Sequence, residues 1–264
     1  MTDDIARVTS LVRLHERRFA FDVADGWQQG RGAFGGLVLA ALARALEQQL
    51  ARPEWPLRAL NAEIFAPVVA APSAIDVEAL RIGSGVATLS ARLSQQGEMR
   101  ARATAAFGKR RVSDRESVFL DAPAPPPFSR ADAVPIGPPF GPAFAQHLEY
   151  RPTYPPWDSG RQRAEGWVRF REASLGIGAP EIVALCDAYY PAAWGTEPAP
   201  RAMSTLTFTI EIVADLADLS AADPFFHRAN VAAAHDGFSV EFRELWDARG
   251  RLLALNQQVF VYVK

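Results

Sequence analysis

At 264 residues, 49% of them hydrophobic and with a formal charge of −2, the chain is long enough for one large domain or two smaller ones. So balanced a charge excludes bulk electrostatic attraction to nucleic acid. The single cysteine, Cys186, excludes an internal disulfide and suits a reducing compartment.

The first residues, MTDDIARVTS, carry two acids and no apolar run, so no signal peptide and a cytoplasmic location are expected. From Arg17, RRFAFDVADGW alternates as a strand, and the glycine-rich turn GRGAFGG (30–36) follows. LVLAALARALEQQL then predicts a helix, apolar nearly all round at its start, as a central buried helix would be. The longest apolar run, 37–46, is broken by Arg44 and too short to span a bilayer, so no membrane span is expected. Strands are predicted over 57–66, 74–82, 86–95 and 100–108, with turns at Gly83–Gly85 and Gln96–Glu98.

Residues 113–142 change texture: DAPAPPPFSRADAVPIGPPFGP is proline-dense and has no hydrophobic period, which predicts a semi-rigid surface linker. Past it come strands over 146–151 and 164–171, a helix in PEIVALCDAYYP, and strands over 202–213, 225–234, 238–247 and 252–263. The turn at His235–Gly237 answers Gly83–Gly85, and Arg249–Gly250 answers Gln96–Gly97. GVATLSARLSQQGEMRARATAAFGK thus lines up with GFSVEFRELWDARGRLLALNQQVFVYVK, which predicts a duplicated fold. The expected class is α+β: halves at 1–112 and 143–264, each a long central helix wrapped by an antiparallel sheet, with the sheets joined edge to edge.

In PEIVALCDAYYP, helical spacing puts Val183, Ala184, Asp187 and Tyr190 on one stripe. A carboxylate facing a core costs on the order of several kcal/mol unless it is paired or hydrogen-bonded. Asp187 is therefore either a satisfied structural carboxylate or a catalytic one. Superposing the halves puts Ala105 opposite Gln258 and Ala59 opposite Thr205, and no acid stands in the early turns of the first helix. A requirement of the fold itself should appear twice, so the asymmetry points to one functional site, in the second half.

The FGGLVLAAL helix start (34–42), the strand LRALNAEIFAPV (57–68), Asp187 in ALCDAYYP, Thr205 in MSTLTFTIEI and Gln258 in LNQQVFVYV resemble the TesB-like acyl-CoA thioesterases, double hotdog members of the thioesterase superfamily. The resemblance implies a thioester hydrolase acting on acyl-CoA without cofactor or metal, in which Asp187, Thr205 and Gln258 hold the hydrolytic water. It also implies a homo-oligomer, a dimer or tetramer. Two departures stand out. Ala59 and Leu60 occupy positions that are polar in the family's strand, and Gln257 adjoins Gln258, so a one-residue slip would exchange them. Aligning 252–254 with the family strand selects Gln258.

The chemistry is coherent: Asp187 as base with a pKa raised by burial, Thr205 and Gln258 orienting water, and backbone N–H groups at Gly35 and Gly36 receiving an oxyanion. Tyr190, with Tyr189, Trp194 and Phe208, lines an acyl pocket or is simply core. Other motifs carry less. Gly30-x-Gly32-x-x-Gly35 fits a dinucleotide fingerprint, but the polar ADGWQQ precedes it and not a buried strand. No GxSxG elbow is present. Cys186 is turned about 100° from Asp187 on a helix, which suits an inert buried thiol. His15, His147, His227 and His235 lack metal spacing and are expected at the surface or in loops. Ala192, five residues past Asp187, takes the place of the histidine used by hotdog hydratases. The alternative to an enzyme is a non-catalytic acyl-CoA binding protein with a relict site.

Overall fold

The computed structural model describes residues 4–111, 117–172, 176–220 and 222–263; residues 1–3 and the start of the expected linker, 113–116, lie outside them. A short helix, α1 (Ile5–Val8), is capped by Asp4, whose carboxylate accepts from Ala6 N–H at 2.7 Å. The first half continues with β1 (Val12–His15), β2 (Arg18–Asp22), a small ribbon of β3 (Gln28–Gln29) and β4 (Gly32–Ala33), and α2 (Gly35–Leu50). It closes with β5 (Leu57–Ile64), β6 (Pro72–Ile82), β7 (Val86–Gln95) and β8 (Glu98–Gly108). The second half has β9 (Leu148–Pro152), β10 (Arg163–Phe170), α3 (Ala179–Ala188), β11 (Met203–Ile212), β12 (Phe225–His235), β13 (Phe238–Asp247) and β14 (Leu252–Tyr262). The strand expected from Arg17 is shorter than its pattern and stops at Asp22.

Twelve strands form one antiparallel sheet in the order β1-β2-β6-β7-β8-β5-β11-β14-β13-β12-β10-β9. The two parts meet at a seam where β11 lies beside β5, with Phe208 opposite Ala62 and the Thr209 hydroxyl donating to Asn61 Oδ1 at 3.1 Å. About that seam the order is symmetric. Chain order β2-α2-β5-β6-β7-β8 recurs as β10-α3-β11-β12-β13-β14. The alternation that predicts the strands also builds the core: in β7 the even positions face solvent and Ala87, Leu89, Ala91 and Leu93 are buried.

α2 is buried almost all round because β5 to β8 pack on one side of it and α3 on another. It ends at Ala51, which takes a left-handed conformation (φ 53°) and donates its N–H to Glu47 O. α3 departs from expectation. It runs ten residues against sixteen in α2, so only the first half has a long helix. The cause lies in its flanks. Pro180 sets the first turn, the C-cap Tyr189 is already extended (φ −83°, ψ 148°), and Pro191 steers Tyr190 away from helical geometry. Tyr190 therefore leaves the stripe on which the spacing placed it. No helix among the described residues is long and apolar enough to cross a membrane.

Residues 117–142 run over the outer face of the second half. Trp167 Nε1 donates to Pro126 O, Arg151 donates to Phe128 O and Ala131 O, and Arg228 donates to Asp121 O. Proline removes its own N–H but leaves a carbonyl, which is why this stretch is tied down by donors from the sheet.

Candidate active site

The two helices run antiparallel, with the start of α2 against the end of α3. Gly36 makes the contact possible: a Cβ there would come within 3.0 Å of Ala184 O and strike the Phe34 ring. At Gly35 a Cβ would stand 2.8 Å from Asp187 Oδ2 and 3.4 Å from Ile64 Cδ1. The glycines thus let a helix N-terminus, with its unpaired N–H groups and positive dipole end, reach a carboxylate. Gly36 N–H faces Asp187 and favours its charged form.

Asp187 sits on the last turn of α3 and is buried. Burial pushes its carboxyl above the usual carboxylate range, while Arg243 and the hydrogen bonds from Gln258 and Gly36 pull the other way. Gln258, on β14, is fully buried, whereas Gln257 faces solvent, so the register resolves to Gln258. Its amide is held from both ends. Nε2 donates to Asn256 Oδ1 at 3.0 Å and Oε1 accepts from the Thr205 hydroxyl at 3.2 Å, while the amide also faces Asp187 and favours its charged form. Asn256 is held in turn, donating to Thr209 O at 2.7 Å. Thr205, Gln258 and Asp187 are therefore brought together in one chain of contacts at the glycine start of α2, Thr205 hydrogen-bonded to Gln258 and Gln258 set against Asp187. Thr205 is its half-buried member.

Tyr190 stands apart from that chain: its hydroxyl donates to Tyr154 O at 3.2 Å and its ring lies 4.6 Å from that of Tyr189. Cys186 is buried, and burial raises its thiol far above the ordinary value, as suits an inert group. His227 corrects the expectation for the histidines. It lies on β12, fully buried, stacked at 4.7 Å on Tyr189, and burial pushes its pKa well below normal, so it is neutral. Among the described residues no group of three or more His, Cys, Asp or Glu could hold a metal ion.

Sequence reasoning missed the polar groups behind the site. Arg243 and Glu241, on β13, form a buried ion pair at 2.9 Å. Arg243 also donates to Cys186 O at 3.2 Å and Tyr189 O at 3.3 Å, and Glu241 accepts from Ala193 N–H at 3.1 Å. Tyr150, on β9, donates to Ala188 O at 2.9 Å. The carbonyls left unpaired at the end of a helix are here satisfied by side chains. The ladders also correct one superposition. Thr205 pairs with Phe260 as Leu57 pairs with Phe107, so Leu57 and not Ala59 is its counterpart; like Ala105, opposite Gln258, it is apolar.

The family model for the acyl-CoA thioesterase C-terminal domain matches residues 120–262, and the one for the N-terminal domain matches residues 23–108. Among solved structures, a hot dog fold protein of unknown function from Alicyclobacillus acidocaldarius superposes with a TM-score of 0.89 at 23% identity, over 100% of this chain and 99% of the other. The acyl-CoA thioesterase II TesB2 from Mycobacterium marinum superposes at 0.78 with 15% identity, over 98% of each chain. The tesB protein of Mycobacterium avium subs. paratuberculosis gives 0.75 and 15%, again over 98% of each. At these identities the superpositions show the fold alone, a hotdog fold. No curated protein matches the chain. With family domains matched along both halves, the chain belongs to the acyl-CoA thioesterase family that those two models describe.

Proposed function

We propose that the chain is a double hotdog hydrolase that converts acyl-CoA to the free acid and CoA, with halves at 1–112 and 143–264 bridged by 113–142. A water lodged between Asp187, Thr205 and Gln258 loses a proton to the carboxylate as its oxygen bonds to the thioester carbonyl carbon. The C–S bond then breaks and the proton passes to the departing sulfur. Burial makes Asp187 a stronger base than an exposed carboxylate, and base assistance of this kind contributes a factor of roughly 10² to 10⁴. The oxyanion faces the α2 N-terminus, where Leu37 and Val38 already donate to Phe34 O, Gly36 N–H is turned to Asp187, and Gly35 N–H is left to receive it. Tyr190 is assigned to the acyl side of this site, and the active form is a homo-oligomer.

The observation that carries the reading is the chain Thr205–Gln258–Asp187, built where the other half has apolar residues. Its test is a panel of acyl-CoAs from acetyl to palmitoyl with wild type and Asp187→Asn. The variant should keep its fold and lose turnover by roughly 10²-fold or more. Undiminished turnover in the variant removes Asp187 from the mechanism. A wild type that binds the panel and hydrolyses none of it is instead a binding protein with a relict site.

A further inference from the structure

Behind α3 the halves differ in a second set of residues. On the inner face Glu241 pairs across the ladder with Gln258 and Arg243 with Asn256; in the first half Leu89 pairs with Ala105 and Ala91 with Ala103. The turns confirm the correspondence, since Gly237 O accepts from Tyr262 N–H as Gly85 O does from Lys109 N–H. The fold therefore accommodates Leu and Ala where the second half has a buried ion pair. Replacing buried pairs by apolar residues is often neutral or stabilising, so this pair is not explained by stability.

We propose that Arg243, clamped by Glu241, is a positioning residue for Asp187. Its guanidinium binds the carbonyls of Cys186 and Tyr189, the residues that bracket the carboxylate, and sets one positive charge behind it. A planar fork reaches both carbonyls while still holding Glu241, which an ammonium cannot do in the same geometry. This rests on the hydrolase reading for its purpose but not for its geometry. The titratable groups around the pair are Tyr150 from β9, His227 from β12, and Cys186 and Tyr189 from the end of α3; α2 and β14 present Gly36 N–H and Gln258, which do not titrate.

The experiment follows the Asp187 carboxyl carbon by NMR titration and measures kcat and KM in wild type, Arg243→Gln, Arg243→Lys and the double variant Glu241→Leu/Arg243→Ala. The double variant installs the residues of the first half, so it tests the idea even if Arg243→Gln does not fold. Asp187 should titrate at higher pH in both variants that lose the charge, with kcat down about tenfold or more and KM little changed. Arg243→Lys should keep the titration near wild type yet lose kcat. An unmoved Asp187 titration in the folded charge-loss variants overturns the proposal, whatever the activity. A moved titration in a protein that hydrolyses no acyl-CoA overturns the hydrolase reading and leaves the positioning role standing.

Discussion

Asp187 holds its proton more firmly folded than unfolded. Between its unfolded and folded pKa values the native state thus binds more protons, so stability falls as pH rises through that interval. Asp187→Asn removes this slope. Relative to wild type the variant should gain stability with increasing pH above about 4, read from urea midpoints at several pH values. Gly35→Ala acts on the same carboxylate from outside. The added methyl meets Oδ2 at 2.8 Å and must displace it. Turnover should drop by roughly 10²-fold, as an ångström-scale misplacement of a reacting group does, while the melting point moves little. A variant with wild-type kcat would show that the carboxylate has slack the structure does not suggest.

At the level of single elements, α2 was legible and α3 only in part. The apolar run after Gly36, interrupted first at Arg44, announces a helix enclosed on all sides, whatever encloses it. The end of α3 could not be read from spacing: the helix stops at Ala188, Tyr189 is already extended, and Pro191 holds Tyr190 off the helical period that would have carried it. The contact between the two helices makes its own demand. Gly36→Ala would press a methyl into Ala184 O and the Phe34 ring, and overpacking of this kind costs about 1–3 kcal/mol, measurable by chemical denaturation. Further along α2, burial raises Glu47 to about 7 against the partial relief of Arg44. Its sign matches that of Asp187: over the range from about 4.5 to about 7, stability relative to Glu47→Gln should fall as pH rises. A flat difference across that range would mean that Glu47 is solvated.

Across the whole molecule the halves share more than a backbone seam. The start of α2 from the first half and the end of α3 from the second together form the candidate site, and β5 and β11 close each other's edges. Calorimetry should therefore show a single cooperative transition; two resolved transitions would contradict so intimate a join. The duplication was readable because turn residues recur in order; Asp187 stood out as an acid on an apolar stripe, while Thr205 and Gln258 entered through the likeness to the family, with apolar counterparts in the other half as support. Arg243 was not, for a specific reason: Arg92 sits one place beyond the true counterpart, Ala91, and faces solvent, so arginine is present near that point in both copies. Only the ladder separates an inward arginine from an outward one.

The paired order of strands on either side of β5 and β11 has one further consequence. In an assembly of two identical subunits every substitution is made twice, so a charge placed behind one helix is also placed behind its mate. Tandem copies on a single polypeptide escape that rule. One copy can take on a costly buried guanidinium while its twin keeps leucine and alanine, and the specialisation of either side is free of the other.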